Sequence, residues 1–214
     1  MLASRSFLAT DGDGYERQMG RWSRRLAPLL IRFAGMVGAV RVLDVGCGTG
    51  NLSFCLGNDP EIVSVTGLDA SPVYVEYANR RNGDARLDFQ VGDACALPFP
   101  DNSFDHAASM LALQFVPQVD VAVREMRRVT RVGGTIAAAT WDTRGGLVAH
   151  RMIFDAAAML DQCGREARAA AYTRPMSRPG DLARAAGCRP RGCRAGHDHY
   201  PHGLCSVCRF LDAL

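Results

Sequence analysis

The spacing of apolar and polar residues changes repeatedly between the periods of a buried strand and an amphipathic helix. Five short apolar runs, rich in β-branched residues and closed by Gly or Asp, predict buried strands at 40–45, 62–68, 87–91, 104–110 and 135–141. Helical spacing predicts helices at 22–35, 51–57, 71–82, 119–130, 146–160 and 179–186. This alternation predicts a doubly wound α/β fold, in which a mostly parallel sheet carries helices on both faces.

Length and periodicity indicate one domain with two flanking segments. We expect an N-terminal cap region at 1–36, a ligand-binding α/β domain at 37–187 and a tail of different character at 188–214. In a doubly wound sheet, ligands bind beyond the carboxyl ends of the strands.

Composition narrows the function classes. The hydrophobic fraction of 48% and charged fraction of 22% are typical of an ordinary globular domain, and a net charge of +3 does not indicate nucleic-acid binding. No apolar run approaches the roughly 20 residues of a spanning helix, and the N-terminus lacks the apolar stretch of a secretory signal. We therefore expect a cytoplasmic protein.

The first predicted strand runs into three alternate glycines, Gly46, Gly48 and Gly50, and then directly into a helix. Glycine permits a tight turn and lets a ligand approach the backbone closely. A dinucleotide-binding turn has the spacing G-x-G-x-x-G, whereas here Asn51 stands in the last place. Asp44 precedes the turn and would repel a pyrophosphate but attract a cation. A nicotinamide oxidoreductase is therefore a distant alternative.

Two further acids follow the next predicted strands. Asp69 ends the second strand, where an acid can accept hydrogen bonds from both hydroxyls of a ribose. Asp93 and Ala94 end the third strand, where an attached adenine would lie. Three acids at successive strand ends suit a ligand with an amino group, a ribose and an adenine but no phosphate.

Four motifs in order, VLDVGCGTGNLS, GLDASP, VGDACALPFPDNSFD and REMRRVTRVGGTIAAATW, resemble those of class I S-adenosylmethionine-dependent methyltransferases. Among these, the chain is most similar to methyltransferase type 11 and to the methyltransferases of ubiquinone and menaquinone biosynthesis. The resemblance implies S-adenosylmethionine as cofactor and a small molecule as the methyl acceptor. It implies cofactor contacts at Tyr15, Asp44, Gly46, Gly48, Asp69, Ala70, Asp93, Ala94, Met110, Leu111 and Gln114.

The resemblance leaves the chemistry of transfer partly open. We name no catalytic residue, because methyl transfer depends largely on alignment of donor and acceptor. We expect His106 and His150 to have packing or exposed roles. The sequence does not identify the acceptor, the atom that is methylated or the oligomeric state. The alternative function is a cofactor-binding remnant without transferase activity.

The tail at 188–214 allows three interpretations. Its cysteines and histidines, with the C-x-x-C pair Cys205 and Cys208, have the composition of a zinc site, and a native tail without structure is a second possibility. We favour a third, a frameshift that begins between about 184 and 194. It predicts no bound metal and terminal strands that are missing or atypical.

The codons of His197–Tyr200 support the frameshift. His-Asp-His-Tyr followed by Pro is encoded CAY GAY CAY TAY C, which becomes AYG AYC AYT AYC when the first base is dropped. Those triplets encode only Met, Ile or Thr. The neighbouring frame therefore encodes β-forming residues where the resembling enzymes have a sixth strand.

Overall fold

A central sheet flanked by helices is present in the computed structural model, which describes residues 11–141, 148–173, 176, 181, 193–196 and 205–211. The strands are β1 Arg41–Val45, β2 Ser64–Asp69, β3 Leu87–Val91, β4 Phe104–Met110, β5 Thr130–Trp141, β6 Cys193–Gly196 and β7 Cys205–Leu211. The α-helices are α1 Gly12–Tyr15, α2 Arg21–Ala34, α3 Asn51–Gly57, α4 Pro72–Arg81, α5 Val119–Val129, α6 Val148–Leu160 and α7 Gln162–Tyr172. A π-helical turn, Glu16–Gly20, joins α1 to α2, and a 3₁₀ turn, Leu113–Phe115, follows β4.

The strand order is β3-β2-β1-β4-β5-β7-β6. The first five strands in this order are parallel, and β7 runs antiparallel between β5 and β6. The predicted doubly wound, mostly parallel fold is therefore confirmed. From β1 the chain adds β2 and β3 on one side and then β4 and β5 on the other. The strand order therefore reverses between β1 and β4, and their carboxyl ends form the crevice in which such sheets bind ligands.

Two apolar clusters cover the two faces of the sheet. Leu30 of α2 and Leu52 of α3 pack with Val42 on one face. Met126 of α5 packs with Leu43 on the other. Neighbouring residues of β1 enter opposite clusters because side chains alternate across a strand, which explains the continuous apolar run there.

No helix in the described part of the chain combines the length and hydropathy needed to cross a membrane.

Two helical segments were not predicted from the sequence. At the N-terminus, α1 and the π-helical turn precede the helix that was expected from residue 22.

The second segment that was not predicted is α7. Asp161 caps this helix by accepting the backbone N–H of Gly164. A Cβ on Gly164 would lie 1.9 Å from the Ala157 carbonyl oxygen, so this glycine permits close packing on α6 rather than ending the helix. Of the helix predicted at 179–186, only Asp181 lies within the described residues.

The terminal strands, expected to be missing or atypical, are present as β6 and β7. β7 pairs with β5 along its whole length, from Thr135 opposite Leu211 to Trp141 opposite Cys205, and β6 pairs with β7. Val, Cys, Phe and Leu fit a pleated surface, so 205–211 continues the sheet beyond β5. The range 197–204, which carries the codon argument, lies outside the described residues, as does Cys188. The frameshift therefore stays a prediction.

We propose to test the frameshift with a chain in which residues after 187 are encoded in the neighbouring frame. Because β6 has only four residues here, a longer run of Ile, Thr and Met should bury more apolar area and raise the melting temperature. Thermal unfolding of the two chains measures the difference. An equal or lower melting temperature, with a monomeric and active 214-residue form, would make the frameshift wrong. One bound zinc per 214-residue chain would favour the Cys/His interpretation.

Candidate functional site

The glycine turn begins where β1 ends. Gly46, Gly48 and Gly50 have φ angles of 73°, 54° and 85°, a region that residues with a Cβ rarely adopt. The turn is fastened to β2, because the backbone N–H groups of Gly46 and Cys47 both donate to the Leu68 carbonyl, at 2.7 and 3.1 Å. These bonds place the turn over the crevice at the carboxyl edge of the sheet.

The first two glycines of the turn have different surroundings. A Cβ on Gly46 would lie 2.2 Å from the Cβ of Ala112, in the loop that follows β4. A Cβ on Gly48 would have no atom within 4 Å. Gly46 thus permits the packing of two loops, whereas Gly48 faces open space that a ligand can enter.

Asp44 lies beneath this turn, on β1, with 1% of its surface exposed. Its Oδ2 accepts a 2.7 Å hydrogen bond from the Ser53 hydroxyl, and its Oδ1 has no partner within the described structure. Burial raises the pKa of Asp44 to about 7, the Ser53 hydrogen bond opposes this rise, and the charge of Asp69 adds to it. A buried carboxylate oxygen without a partner is unfavourable, so this atom is a candidate acceptor for a ligand donor group.

Asp69 lies beside the turn at the end of β2. Its Oδ2 accepts the backbone N–H of Gly48 and its Oδ1 accepts that of Ser71, both at 2.8 Å. Burial raises the pKa of Asp69 in spite of these two bonds. Ser71 also caps α4 by accepting the Tyr74 N–H, while Ala70 between them is exposed. Asp69 is therefore oriented by backbone groups on two sides.

Asp93 and Ala94 follow β3, the strand next to β2. Asp93 is exposed, and its Oδ1 accepts the backbone N–H of Cys95 at 2.8 Å. Ala94 is half-buried against the apolar cluster under α5. This pair thus forms the outer edge of the crevice, one strand beyond Asp69.

The loop after Asp93 is held by α5. Arg128 donates to the Leu97 and Phe99 carbonyls, at 2.9 and 2.8 Å, and to the carboxylates of Glu125 and Asp101. Glu125 in turn accepts the Leu97 N–H at 2.9 Å. These bonds fix the backbone of the loop relative to the helix.

The other side of the crevice is the loop after β4. Met110 is half-buried, and Leu111 has a φ of 63°, which strains a residue with a Cβ. The Leu111 N–H donates to the Ala139 carbonyl at 2.7 Å. Gln114 is buried, and its Oε1 accepts the Trp141 N–H at 3.0 Å. Hydrogen bonds to β5 thus hold this loop in its strained form.

Tyr15 lies over the crevice on the N-terminal segment. Its ring contacts that of Tyr74, with centroids 5.1 Å apart, and Ser23 on α2 is a hydrogen-bond partner. Burial raises the pKa of Tyr15, and the charges of Glu16 and Asp69 raise it further. The side chain thus lies close enough to Asp69 to be affected by its charge.

Glu16, next to Tyr15, was not identified from the sequence. Its Oε1 accepts hydrogen bonds from the Thr49 hydroxyl and, at 2.6 Å, from the Asn51 amide, while its Oε2 pairs with Arg24. Thirty-five residues separate Glu16 from Asn51, so no short motif or helical period links them.

The two histidines of the α/β domain do not face this site as free acid–base groups. His106 is buried in β4, and its Nδ1 accepts the Thr135 N–H at 3.1 Å. His150 is exposed on α6. The predicted packing and exposed roles are confirmed.

Comparison with known proteins matches this architecture to one family. The family model described as methyltransferase domain matches residues 43–138. A Mycobacterium tuberculosis protein, described as uncharacterized, is 36% identical over 120 residues, covering 56% of this chain and 44% of the relative. The demethylmenaquinone methyltransferase of Renibacterium salmoninarum is 39% identical over 122 residues, covering 57% and 48% respectively. The chain spans about half the length of these curated relatives.

A solved structure agrees with the fold over nearly the whole chain. The S-adenosylmethionine-dependent methyltransferase from Aquifex aeolicus superimposes with a TM-score of 0.65 and 17% identity. The match covers 96% of this chain and 100% of that one.

Proposed function

The chain carries a class I S-adenosylmethionine-dependent methyltransferase domain, and on that premise we propose that it transfers a methyl group from S-adenosylmethionine to a small-molecule acceptor. The cofactor supplies an electrophilic methyl group on a sulfonium centre. We also propose a cytoplasmic location. Support for a small acceptor comes from relatives such as the demethylmenaquinone methyltransferase and from a net charge too low for nucleic-acid binding.

The unpartnered Oδ1 of Asp44 is the observation that carries this proposal. It lies beneath the turn that contains Gly48, whose inner side is open. An ammonium group could donate to this oxygen and satisfy its charge. A phosphate could not, because it would add negative charge beside Asp44 and Asp69.

Asp69 suits the ribose. A carboxylate has about four lone-pair positions, and Asp69 uses one on each oxygen for the N–H groups of Gly48 and Ser71. One position on each oxygen is left for a hydroxyl. In this proposal Ala70 adjoins the ribose, and Asp93 with Ala94 binds the adenine.

The remaining residues orient the reactants. We propose that Met110 and Leu111 present backbone groups to the cofactor, that Gln114 fixes the loop that carries them, and that Tyr15 excludes water from above. Holding two reactants aligned at short distance supplies much of the acceleration of a displacement reaction. We assign no general base, so proton loss depends on the acceptor itself.

Replacing Asp69 with alanine tests the cofactor assignment. Loss of charge-assisted hydrogen bonds to two hydroxyls should weaken S-adenosylhomocysteine binding by about 1–3 kcal/mol, roughly 5- to 150-fold. Titration calorimetry measures the change. Asp120→Ala, which removes an exposed acid of α5, should leave affinity unchanged.

Two outcomes would separate this proposal from its alternatives. A protein that binds NADH and ignores S-adenosylhomocysteine would overturn the cofactor assignment. A protein that binds S-adenosylhomocysteine but methylates no acceptor in a broad small-molecule panel would favour the cofactor-binding remnant.

A further inference from the structure

Glu16 has more polar partners than any other side chain of the N-terminal segment Gly12–Gly20 within the described structure. Only 12% of its side chain is exposed. One carboxylate oxygen accepts from Thr49 and Asn51, and the other pairs with Arg24. Arg81 of α4 lies 4.0 Å away. One carboxylate therefore connects the N-terminal segment with the glycine turn and with α2, α3 and α4.

The backbone around Glu16 is shaped for this contact. Glu16 begins the π-helical turn, and such turns are often found at functional sites. A Cβ on Gly20 would lie 2.2 Å from the Glu16 carboxylate. A side chain at this position would crowd the carboxylate oxygen of Glu16 that pairs with Arg24.

The same segment also reaches the crevice through Tyr15. Tyr15 immediately precedes Glu16, contacts Tyr74 and lies close enough to Asp69 for the charge of Asp69 to raise its pKa, although burial is the larger cause. The hydrogen bonds of Glu16 therefore fix the position of a side chain that faces the cofactor site.

We propose that Glu16 is a positioning residue that latches the segment Gly12–Gly20 onto the glycine turn and thereby slows escape of the bound cofactor. The second half of this statement rests on the proposed function. The first half concerns the unliganded chain and is measured without any cofactor.

Limited trypsin cleavage of the unliganded protein tests the latch. Arg17 and Arg21 lie in and just after the latched segment, so cleavage there reports its opening. Glu16→Gln should speed cleavage at these two sites about tenfold and leave cleavage elsewhere unchanged. Glu76→Gln is the matched control, because Glu76 is an exposed glutamate that pairs only with Arg80 among the ion pairs of the described residues.

A second variant removes the amide of Asn51, which donates to Glu16. Asn51→Ala should also speed cleavage at Arg17 and Arg21, and the effect of the double variant should be smaller than the sum of the two single effects, because both variants weaken the hydrogen bond between Glu16 and Asn51. Unchanged cleavage in Glu16→Gln, or fully additive effects in the double variant, would overturn the latch. Increased cleavage throughout the chain would show general destabilisation instead and would also count against it.

Stopped-flow displacement of S-adenosylhomocysteine tests the consequence. Glu16→Gln should raise the dissociation rate about tenfold and change the association rate by less than threefold, because the latch acts on the closed state. If S-adenosylhomocysteine dissociates from Glu16→Gln and from the unchanged chain at the same rate, the latch does not govern escape. If the unchanged chain binds none, the cofactor proposal fails, and the trypsin result still decides the latch.

Discussion

Asp44→Asn should stabilise the unliganded protein at pH 8 and at the same time weaken cofactor binding. Asp44 is 1% exposed, and burial raises its pKa from the ordinary 3.8 to about 7. Above that pH the folded chain must hold a buried negative charge with one oxygen unpartnered. Asparagine has nearly the same shape and no charge.

The sign of the pH dependence follows from proton binding. Between about pH 4 and pH 7 the folded protein keeps a proton on Asp44 that the unfolded chain has lost, so stability falls as pH rises through this window. The difference between 3.8 and about 7 corresponds to roughly 4 kcal/mol, of which a buried amide would recover about 1–3 kcal/mol. At 2–4 °C per kcal/mol, the melting temperature should rise by roughly 2–12 °C at pH 8 and by almost nothing at pH 4.

The effect on binding has the opposite sign. A cationic ligand group prefers the ionised carboxylate, so S-adenosylhomocysteine affinity of the unchanged chain should fall about fivefold from pH 7 to pH 6. Asp44→Asn should bind about 10- to 100-fold more weakly at pH 8. The part of the pH dependence that Asp44 causes should also disappear.

Thermal unfolding and calorimetry across pH 4–8 measure both effects. Asp105→Asn is a control of opposite sign. The pKa of Asp105 is lowered to about 2, because hydrogen bonds and charge from Arg41 and Arg131 outweigh the effect of burial. That carboxylate contributes stability above its unfolded pKa, so its amide variant should melt lower at pH 8. Equal melting temperatures of Asp44→Asn and the unchanged chain at pH 8 would contradict the account of Asp44.

The part of the site that the sequence predicted comes from short-range signals. Asp44, Gly46 and Gly48 lie within one strand and turn, and Asp69 ends the next strand. Parallel strands bring their ends to one edge, so the spacing of apolar runs is enough to place these residues together. The same reasoning located Asp93, whereas Leu111 came from the family resemblance. The strained φ of Leu111 depends on its hydrogen bond to β5.

Features that depend on distant contacts could not be predicted. Glu16 meets Asn51 only because α2 folds back over α3, and that geometry has no sequence period. The helix α7 was missed for a similar reason. Glycine normally weakens a helix, but Gly164 permits α7 to pack closely on α6. The strand at 205–211 is stabilised by its pairing with the edge of β5 as well as by the β-propensity of its own residues.

The glycine turn offers the last and sharpest comparison, between Gly46→Ala and Gly48→Ala. Both positions have a positive φ, so each alanine should cost about 1–2 kcal/mol in backbone strain. Gly46→Ala also places a methyl group 2.2 Å from the Cβ of Ala112 and must displace the loop after β4. We expect it to lose about 3–5 kcal/mol of stability in total and all measurable S-adenosylhomocysteine binding.

Gly48→Ala should separate binding from folding. Its new methyl group meets no protein atom within 4 Å, so the variant should lose only the strain energy and remain folded. Because that methyl group enters the space assigned to the cofactor, affinity should fall at least tenfold more than the stability loss alone would explain. Denaturant titration gives the free energies of unfolding, and calorimetry gives the affinities. If Gly48→Ala binds S-adenosylhomocysteine as tightly as the unchanged chain, the open side of the turn is not where the cofactor lies.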